Sequence, residues 1–225
     1  MMGNNTGHAP QRIFISGGWG GLARAVSACF TAAGWEVDAP SHAELDVCDR
    51  TAVERWFAGR TPYDLAVCAA GITRDRPFLK QTEDEWDAVM GVNLAGSAWC
   101  ARAAAAGMIR ERREGQIVMI GSYASFRPVP SQTAYASSKA ALEGLVKSLA
   151  REWGCSGIRV NLVLPGFMQT DMTAGMQEKA VRAALDRHVL GRFNTPGKTA
   201  DFLLFLNQTL TAASGQTFDL DSRIL

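Results

Sequence analysis

Arg12-Ile13-Phe14-Ile15-Ser16-Gly17-Gly18-Trp19-Gly20-Gly21-Leu22-Ala23-Arg24-Ala25 is the stretch on which the fold turns. Its opening residues are β-branched and aromatic and stop at glycine, which predicts a short buried strand. Its closing residues begin an apolar stripe, Leu22, Val26, Cys29, Phe30 and Ala33, at the spacing of one helix face. Between them the glycines permit a tight turn and a close approach of backbone to a diphosphate, which the positive end of the adjoining helix attracts. A plain strand-to-helix turn uses the same residue types, so the meaning of this one depends on the rest of the chain.

Beyond this turn the chain alternates strand and helix throughout. Gly34 ends the first helix and Trp35–Ala39 reads as a second strand. Only Pro40, Ser41, His42 and Ala43 then precede Glu44-Leu45-Asp46-Val47-Cys48-Asp49. A parallel neighbour needs a crossover of about a dozen residues. Either the next strand is lost or it survives as a short remnant over the top of the sheet, which would bring Asp46 and Asp49 to the sheet's carboxyl edge. Thr51–Ala58 reads as a helix capped by Thr51, and Asp64–Gly71 as a strand closing on a small-residue turn. Thr82-Glu83-Asp84-Glu85 is a capping-box pattern opening a helix to about Met108, with Asn93 inside it. Gln116–Ile120 is a strand ending at Gly121-Ser122. Ser131–Trp153 is a long helix, and Ile158–Val163 a strand stopped by Pro165-Gly166. Thr195-Pro196 starts a helix, and Gln216–Leu220 is a last strand. The class is α/β with a mostly parallel sheet.

Composition excludes several functions. The chain has 225 residues, 47% of them hydrophobic and 20% charged, with a net charge of +1. Nothing in that balance points to nucleic acid, and no apolar run is long enough for a bilayer. The cysteines Cys29, Cys48, Cys68, Cys100 and Cys155 are scattered and read as reduced residues of a cytoplasmic protein. His8, His42 and His188 lie far apart in sequence, so no metal site is expected. Residues 1–10 read as a disordered leader and 11–225 as a single domain.

Tyr135 and Lys139 share a helix face, with Ser122 upstream at the end of a strand. A phenol titrates near pH ~10 and is a slow proton donor at neutral pH. A nearby ammonium lowers that value, which gives the pair a chemical rationale.

With these pieces placed, the chain resembles the short-chain dehydrogenase/reductase family from about Gln11 to Leu225. The resemblance implies a single-domain Rossmann-type doubly wound parallel sheet, here with the crossover between second and third strands shortened or missing. The family's glycine-rich turn is similar to Ser16-Gly17-Gly18-Trp19-Gly20-Gly21-Leu22-Ala23, and its N-N-A-G turn is matched in part by Cys68-Ala69-Ala70-Gly71. The catalytic asparagine, serine, tyrosine and lysine match Asn93, Ser122, Tyr135 and Lys139. Pro165, Gly166 and Thr170 match the turn that meets the nicotinamide. Within the family the chain is most similar to bacterial 3-oxoacyl-(acyl-carrier-protein) reductases, through Gly71–Asp75, Thr82–Leu94 and Pro165–Thr173.

That likeness implies hydride transfer to a substrate carbonyl. Tyr135 would be the general acid, Lys139 would lower its pKa and hold the ribose, and Ser122 would polarise the carbonyl. Asn93 would position a water that returns a proton through Lys139. Cofactor contacts would come from Ser16, Gly17, Trp19, Gly21, Leu22, Ser41, His42, Asp46, Val47, Ala69, Ala70, Gly71, Pro165, Gly166 and Thr170, together with Tyr135 and Lys139. NADPH is expected over NADH, because the ribose-reading position falls at Ser41-His42 and Asp38 comes too early. A 3-oxoacyl thioester is the expected substrate, carried by an acyl carrier protein that Arg113 contacts, although Arg110–Arg113 also reads as a solvated helix end. Relatives suggest a homotetramer or homodimer. A small alcohol or sugar-type dehydrogenase and a non-catalytic cofactor-binding scaffold are the alternatives. The apolar segment Met168–Leu190 (Met168, Met172, Met176, Val181, Leu185, Val189, Leu190) favours a greasy substrate. The C-terminus departs from relatives, with Asp219-Leu220-Asp221-Ser222-Arg223-Ile224-Leu225 where they carry a glycine pair.

Overall fold

A computed structural model describes residues 10–171 and 173–224. The leader apart from Pro10, together with Met172 and Leu225, lies outside the described residues. Strands β1 (Arg12–Ile15), β2 (Glu36–Asp38), β3 (Leu65–Cys68), β4 (Gly115–Ile120), β5 (Ile158–Leu164) and β6 (Thr217–Asp219) form one parallel sheet ordered β2-β1-β3-β4-β5-β6. The expected α/β class is the observed one.

Strand alternation divides the core between two faces. Ile13, Ile15, Leu65, Val67, Val118, Ile120 and Val163 pack with Val26, Phe30, Leu203 and Leu206, which belong to helices α1 (Gly21–Ala32) and α7 (Pro196–Gln208). Phe14, Ala66, Cys68, Ile117, Met119, Val160 and Leu162 face the other way. They meet α2 (Arg50–Phe57), α4 (Ser97–Arg110) and α5 (Thr133–Trp153). Helices on both faces leave each strand dry on both sides, which is why the strands read as near-continuous apolar runs. The winding reverses between β1 and β3, and such a reversal opens a crevice at the carboxyl ends of the strands.

Of the two outcomes left open for Pro40–Asp49, the strand is lost. The chain runs from Asp38 through turns to α2 without joining the sheet. It passes directly over the glycine turn, where the Gly18 amide donates to the Pro40 carbonyl at 2.8 Å. The α2 cap is Asp49, whose carboxylate accepts from the Ala52 amide at 3.0 Å, and not Thr51. Aspartate reaches the first-turn amides from two residues earlier in the chain, so the helix starts at Arg50.

The expected long helix from Thr82 is interrupted. Its capping box forms, with the Thr82 side chain accepting from the Glu85 amide and the Glu85 side chain accepting from the Thr82 amide. Helix α3 (Glu83–Met90) then widens into a π-helical stretch, Gly91–Gly96, before α4 resumes. Asn93 lies inside that stretch, which fits the tendency of π-bulges to occur at functional positions. Helix α5 starts at Thr133, because Ser131 takes a left-handed φ of 76° that a helix cannot use. Thr195 caps α7 by accepting from the Lys198 amide, with Pro196 in the first turn as expected.

Candidate active site

Three turns build the site at the carboxyl ends of β1, β3 and β4. Ser16 is buried, and its Oγ accepts from the amides of Ala69 and Ala70 at 3.0 Å each. This hydroxyl locks the turn after β1 to the turn after β3. Gly17 has φ +73°, and a Cβ there would stand 2.9 Å from the Ala70 Cα. A Cβ on Gly18 would stand 1.9 Å from the Ala39 carbonyl oxygen. Both glycines are therefore required by backbone contact.

Gly20 is the N-cap of α1, with no side-chain cap, and the helix's first turn has no acidic residue. Its first amides are open to an anion, which suits a diphosphate at a helix N-terminus. Trp19 stands beside them, 75% exposed. On the far side, Gly21 faces Thr170, and Arg24 pairs with Asp171 at 2.9 Å. The segment after Pro165-Gly166 thus lies against the mouth of the glycine turn. An uncapped helix start, the glycine turn and the small residues Ala69, Ala70 and Gly71 lie together here, the donor set and open backbone that a dinucleotide's diphosphate requires.

The ribose end is built differently from the expectation. Asp38 turns away from the crevice, its carboxylate held by Arg12 at 2.8 Å and by the Tyr63 hydroxyl at 2.7 Å. Ser41 gives both its amide and its hydroxyl to the Glu44 carboxylate, each at 2.8 Å. Those two bonds hold the Glu44 carboxyl below its ordinary pKa. His42 is exposed, with Nδ1 3.8 Å from Asp46 Oδ1. Val47 is buried and packs so closely on Gly96 that a Cβ there would meet Val47 Cγ2 at 2.6 Å. The Glu44 partner of Ser41 was not anticipated from the sequence. Its only signal was a carboxylate three residues after a serine, which is too common to single out.

Asn93 and Lys139 converge on the turn after β3. A Cβ on Gly71 would lie 3.4 Å from Asn93 Oδ1 and 3.5 Å from Lys139 Nζ, which places both beside the turn after β3. Asn93 Oδ1 accepts from the Ile72 amide at 2.9 Å, while Nδ2 donates to the Ile72 carbonyl and to Ser138 Oγ at 3.0 Å each. Ser138 in turn donates to the Tyr135 carbonyl at 2.7 Å. The Asn93 side chain is therefore a cross-tie between the turn after β3 and α5. Ser138 was not anticipated. Its place three residues after Tyr135 was the available clue.

Lys139 is 4% exposed and donates to the Ile120 carbonyl at 2.8 Å. Burial brings its ammonium down to about 8, with Cys68 pulling it back up. The Cys68 thiol itself is pushed up to about 12 by burial, against the pull of Lys139. Burial raises Tyr135, a hydrogen bond with Ser122 works the other way, and the Asp75 charge adds to the rise. The ammonium is committed to Ile120, and Nζ lies 5.9 Å from the centre of the Tyr135 ring. Ser122 Oγ accepts from the Ala124 amide at 3.1 Å, which leaves its own proton to donate outward.

Arg113 is not a free cation. It pairs with Asp64 at 2.7 Å and also donates to the Pro62 carbonyl. The free-thiol reading holds for all five cysteines.

A dinucleotide crevice at a sheet reversal, closed by a serine with a tyrosine and a lysine one helical turn apart, defines a nicotinamide-dependent oxidoreductase. The chain belongs to the short-chain dehydrogenase/reductase family. Residues 21–222 match a family model described as enoyl-(acyl carrier protein) reductase. The chain is 40% identical over 186 residues to a 3-oxoacyl-(acyl-carrier-protein) reductase of Thermotoga maritima, covering 80% of this chain and 75% of that protein. It is 41% identical over 145 residues to a (3R)-3-hydroxyacyl-CoA dehydrogenase of Rattus norvegicus, covering 64% of this chain and 56% of that protein. Among solved structures, a 2-deoxy-D-gluconate 3-dehydrogenase candidate of Agrobacterium tumefaciens with bound NADP superposes with a TM-score of 0.86. That pair shares 27% identity and 98% coverage of both chains.

Proposed function

We propose that this enzyme reduces the keto group of a 3-oxoacyl thioester to the 3-hydroxyacyl form, in fatty-acid or polyketide-type synthesis. The observation that carries the reading is the convergence of Ser122, Tyr135 and Lys139, together with uncovered apolar residues in the lid-like segment 173–190. Val189 and Leu190 are 68% and 63% exposed, and Met176 is exposed too. A long acyl chain is the substrate that would cover them. The relatives named as 3-oxoacyl and 3-hydroxyacyl enzymes support a substrate of this class.

The nicotinamide, when bound, supplies the hydride that reduces the carbonyl carbon. Ser122 donates a hydrogen bond to the carbonyl oxygen, where negative charge develops. The Tyr135 hydroxyl gives that oxygen its proton. Lys139, buried beside the turn after β3, would hold the cofactor's ribose.

NADPH is the proposed reductant, supported by the NADP-bound neighbour and by the capture of Asp38. The Glu44 carboxylate on Ser41 is the feature that opposes it. We assign the protein to the cytoplasm, with one domain over residues 11–225. Self-association is proposed through the groove of Trp99, Ile109, Leu145, Leu149 and Trp153 between α4 and α5. Acyl carrier protein is the proposed partner, although the Asp64 pairing of Arg113 argues against that residue as its anchor.

The test is NADPH and NADH oxidation with acetoacetyl-CoA, acetoacetyl-acyl-carrier protein and a panel of small ketones. Faster turnover of the thioesters is expected. Turnover confined to small ketones or sugars would move the assignment to the sugar-type dehydrogenase reading. Cofactor binding with no turnover of any carbonyl would indicate a scaffold.

A further inference from the structure

The C-terminal segment contains a buried charge cluster that the reduction chemistry does not use. The Asp221 side chain is 0% exposed, and three other parts of the molecule meet it. His188, after helix α6 (Glu178–Leu185), brings Nε2 to 2.8 Å from Asp221 Oδ1. Gly166, with φ +78°, lies so close that a Cβ would stand 2.9 Å from the Asp221 carboxylate. Arg223 donates to Asp221 from its backbone amide at 3.0 Å and from Nε at 2.7 Å, with Nη2 on the same oxygen as Nε.

The arginine does not stop at the carboxylate. Its guanidinium carbon sits 3.7 Å from the centre of the Tyr123 ring. Tyr123 opens the short turn Tyr123–Ser125, whose Ala124 amide is the donor that orients Ser122 Oγ. One line of contacts therefore runs from Asp221 through Arg223 and Tyr123 to the hydroxyl that meets the substrate carbonyl. A second runs from Asp221 to the lid through His188, whose Nδ1 meets the Ala184 carbonyl at 2.7 Å and whose ring stands edge-on to Phe193. The backbone adds to it, since the Val189 amide donates to the Ser222 carbonyl at 3.2 Å.

We propose that Asp221 and Arg223 form a clamp in the C-terminal tail that positions Ser122 and fastens the lid. Arg223 is the positioning residue and His188 the anchor on the lid side. A guanidinium that is both stacked and doubly bonded has a fixed direction that an ammonium lacks, so lysine is a poor substitute. Burial alone would raise the Asp221 carboxyl, yet the Arg223 bonds and His188 hold it below its ordinary value, so it stays a carboxylate. The clamp acts on the keto reduction proposed above and rests on that reading only for its kinetic readout.

The experiment compares wild type with Arg223→Ala, Arg223→Lys and Asp221→Asn. Misplacing Ser122 by a fraction of an ångström is expected to lower kcat on acetoacetyl-CoA by roughly 10- to 50-fold. KM and the NADPH dissociation constant should stay within about threefold, since the hydrogen bond to the oxygen strengthens as charge develops. Added guanidinium should restore part of kcat to Arg223→Ala and none to Asp221→Asn. Hydrogen exchange supplies a readout independent of substrate: the amides of residues 122–127 and 186–190 should exchange faster in Arg223→Ala. Wild-type kcat with unchanged exchange in Arg223→Ala would overturn the clamp. If the wild type reduces no acyl thioester but Arg223→Ala still loosens those two segments, the clamp stands and the substrate reading falls.

Discussion

The two ends of the crevice are built in different ways. At one end, Asn93, Ser122, Tyr135 and Lys139 sit on the π-helical stretch, at the end of β4 and on α5. The side chains of Asn93, Ser122 and Lys139 are tied to backbone partners at Ile72, Ala124 and Ile120. At the ribose end, the strand expected after β2 is missing and the wall is a loop. There Ser41 is held by the exposed carboxylate of Glu44, and His42 points to solvent. Dense packing makes geometry at the first end hard to change. The second end is adjustable, because loop residues accept new side chains at little cost in stability.

The largest expected effect lies at the packed end. Tyr135→Phe should lower kcat by about a thousandfold while leaving NADPH affinity within about twofold, measured by steady-state kinetics and fluorescence titration. Near-normal turnover would show that another group is the acid.

Lys139 tests the same end through pH. Its folded value, about 8, lies below the ordinary 10.5. Between those values the unfolded chain binds more protons, so the contribution of Lys139 to stability rises with pH through that window. Below pH 8 the full cost of burying the charge is present, on the order of 3 kcal/mol. Urea unfolding of wild type and Lys139→Met from pH 7 to 9.5 should show the wild type gaining on the variant. A constant difference would mean that the ammonium is not desolvated.

Gly18→Ala probes where the loop meets the turn. Its Cβ would collide with the Ala39 carbonyl, so a loss of about 1–3 kcal/mol and weaker NADPH binding are expected. Gly34→Ala is the control, at φ +84° with nothing within 4 Å, and should cost less and spare the cofactor. Equal effects would place the loop away from the cofactor.

The smallest effect should be Glu44→Gln. Removing an exposed charge at the ribose end should shift the ratio of NADPH to NADH efficiency toward NADPH by a few-fold. An unchanged ratio would take Glu44 out of cofactor choice.

The sequence by itself determined the sheet class, the candidate catalytic set and the shortened crossover. Those rest on local constraints: apolar strand runs that stop at glycine, the one-turn spacing of Tyr135 and Lys139, and a gap after Ala39 too short for a helix. Tertiary structure alone decided which partners the side chains take. Asn93 meets Ile72 and Ser138, Asp38 meets Arg12 and Tyr63, and Arg113 meets Asp64, all across separations that leave no local pattern. The pKa of Tyr135 belongs to the same class, because desolvation depends on everything packed around the phenol. So does the Asp221 cluster, where residues on the lid, the Pro165-Gly166 turn and the tail become neighbours only once the sheet has closed.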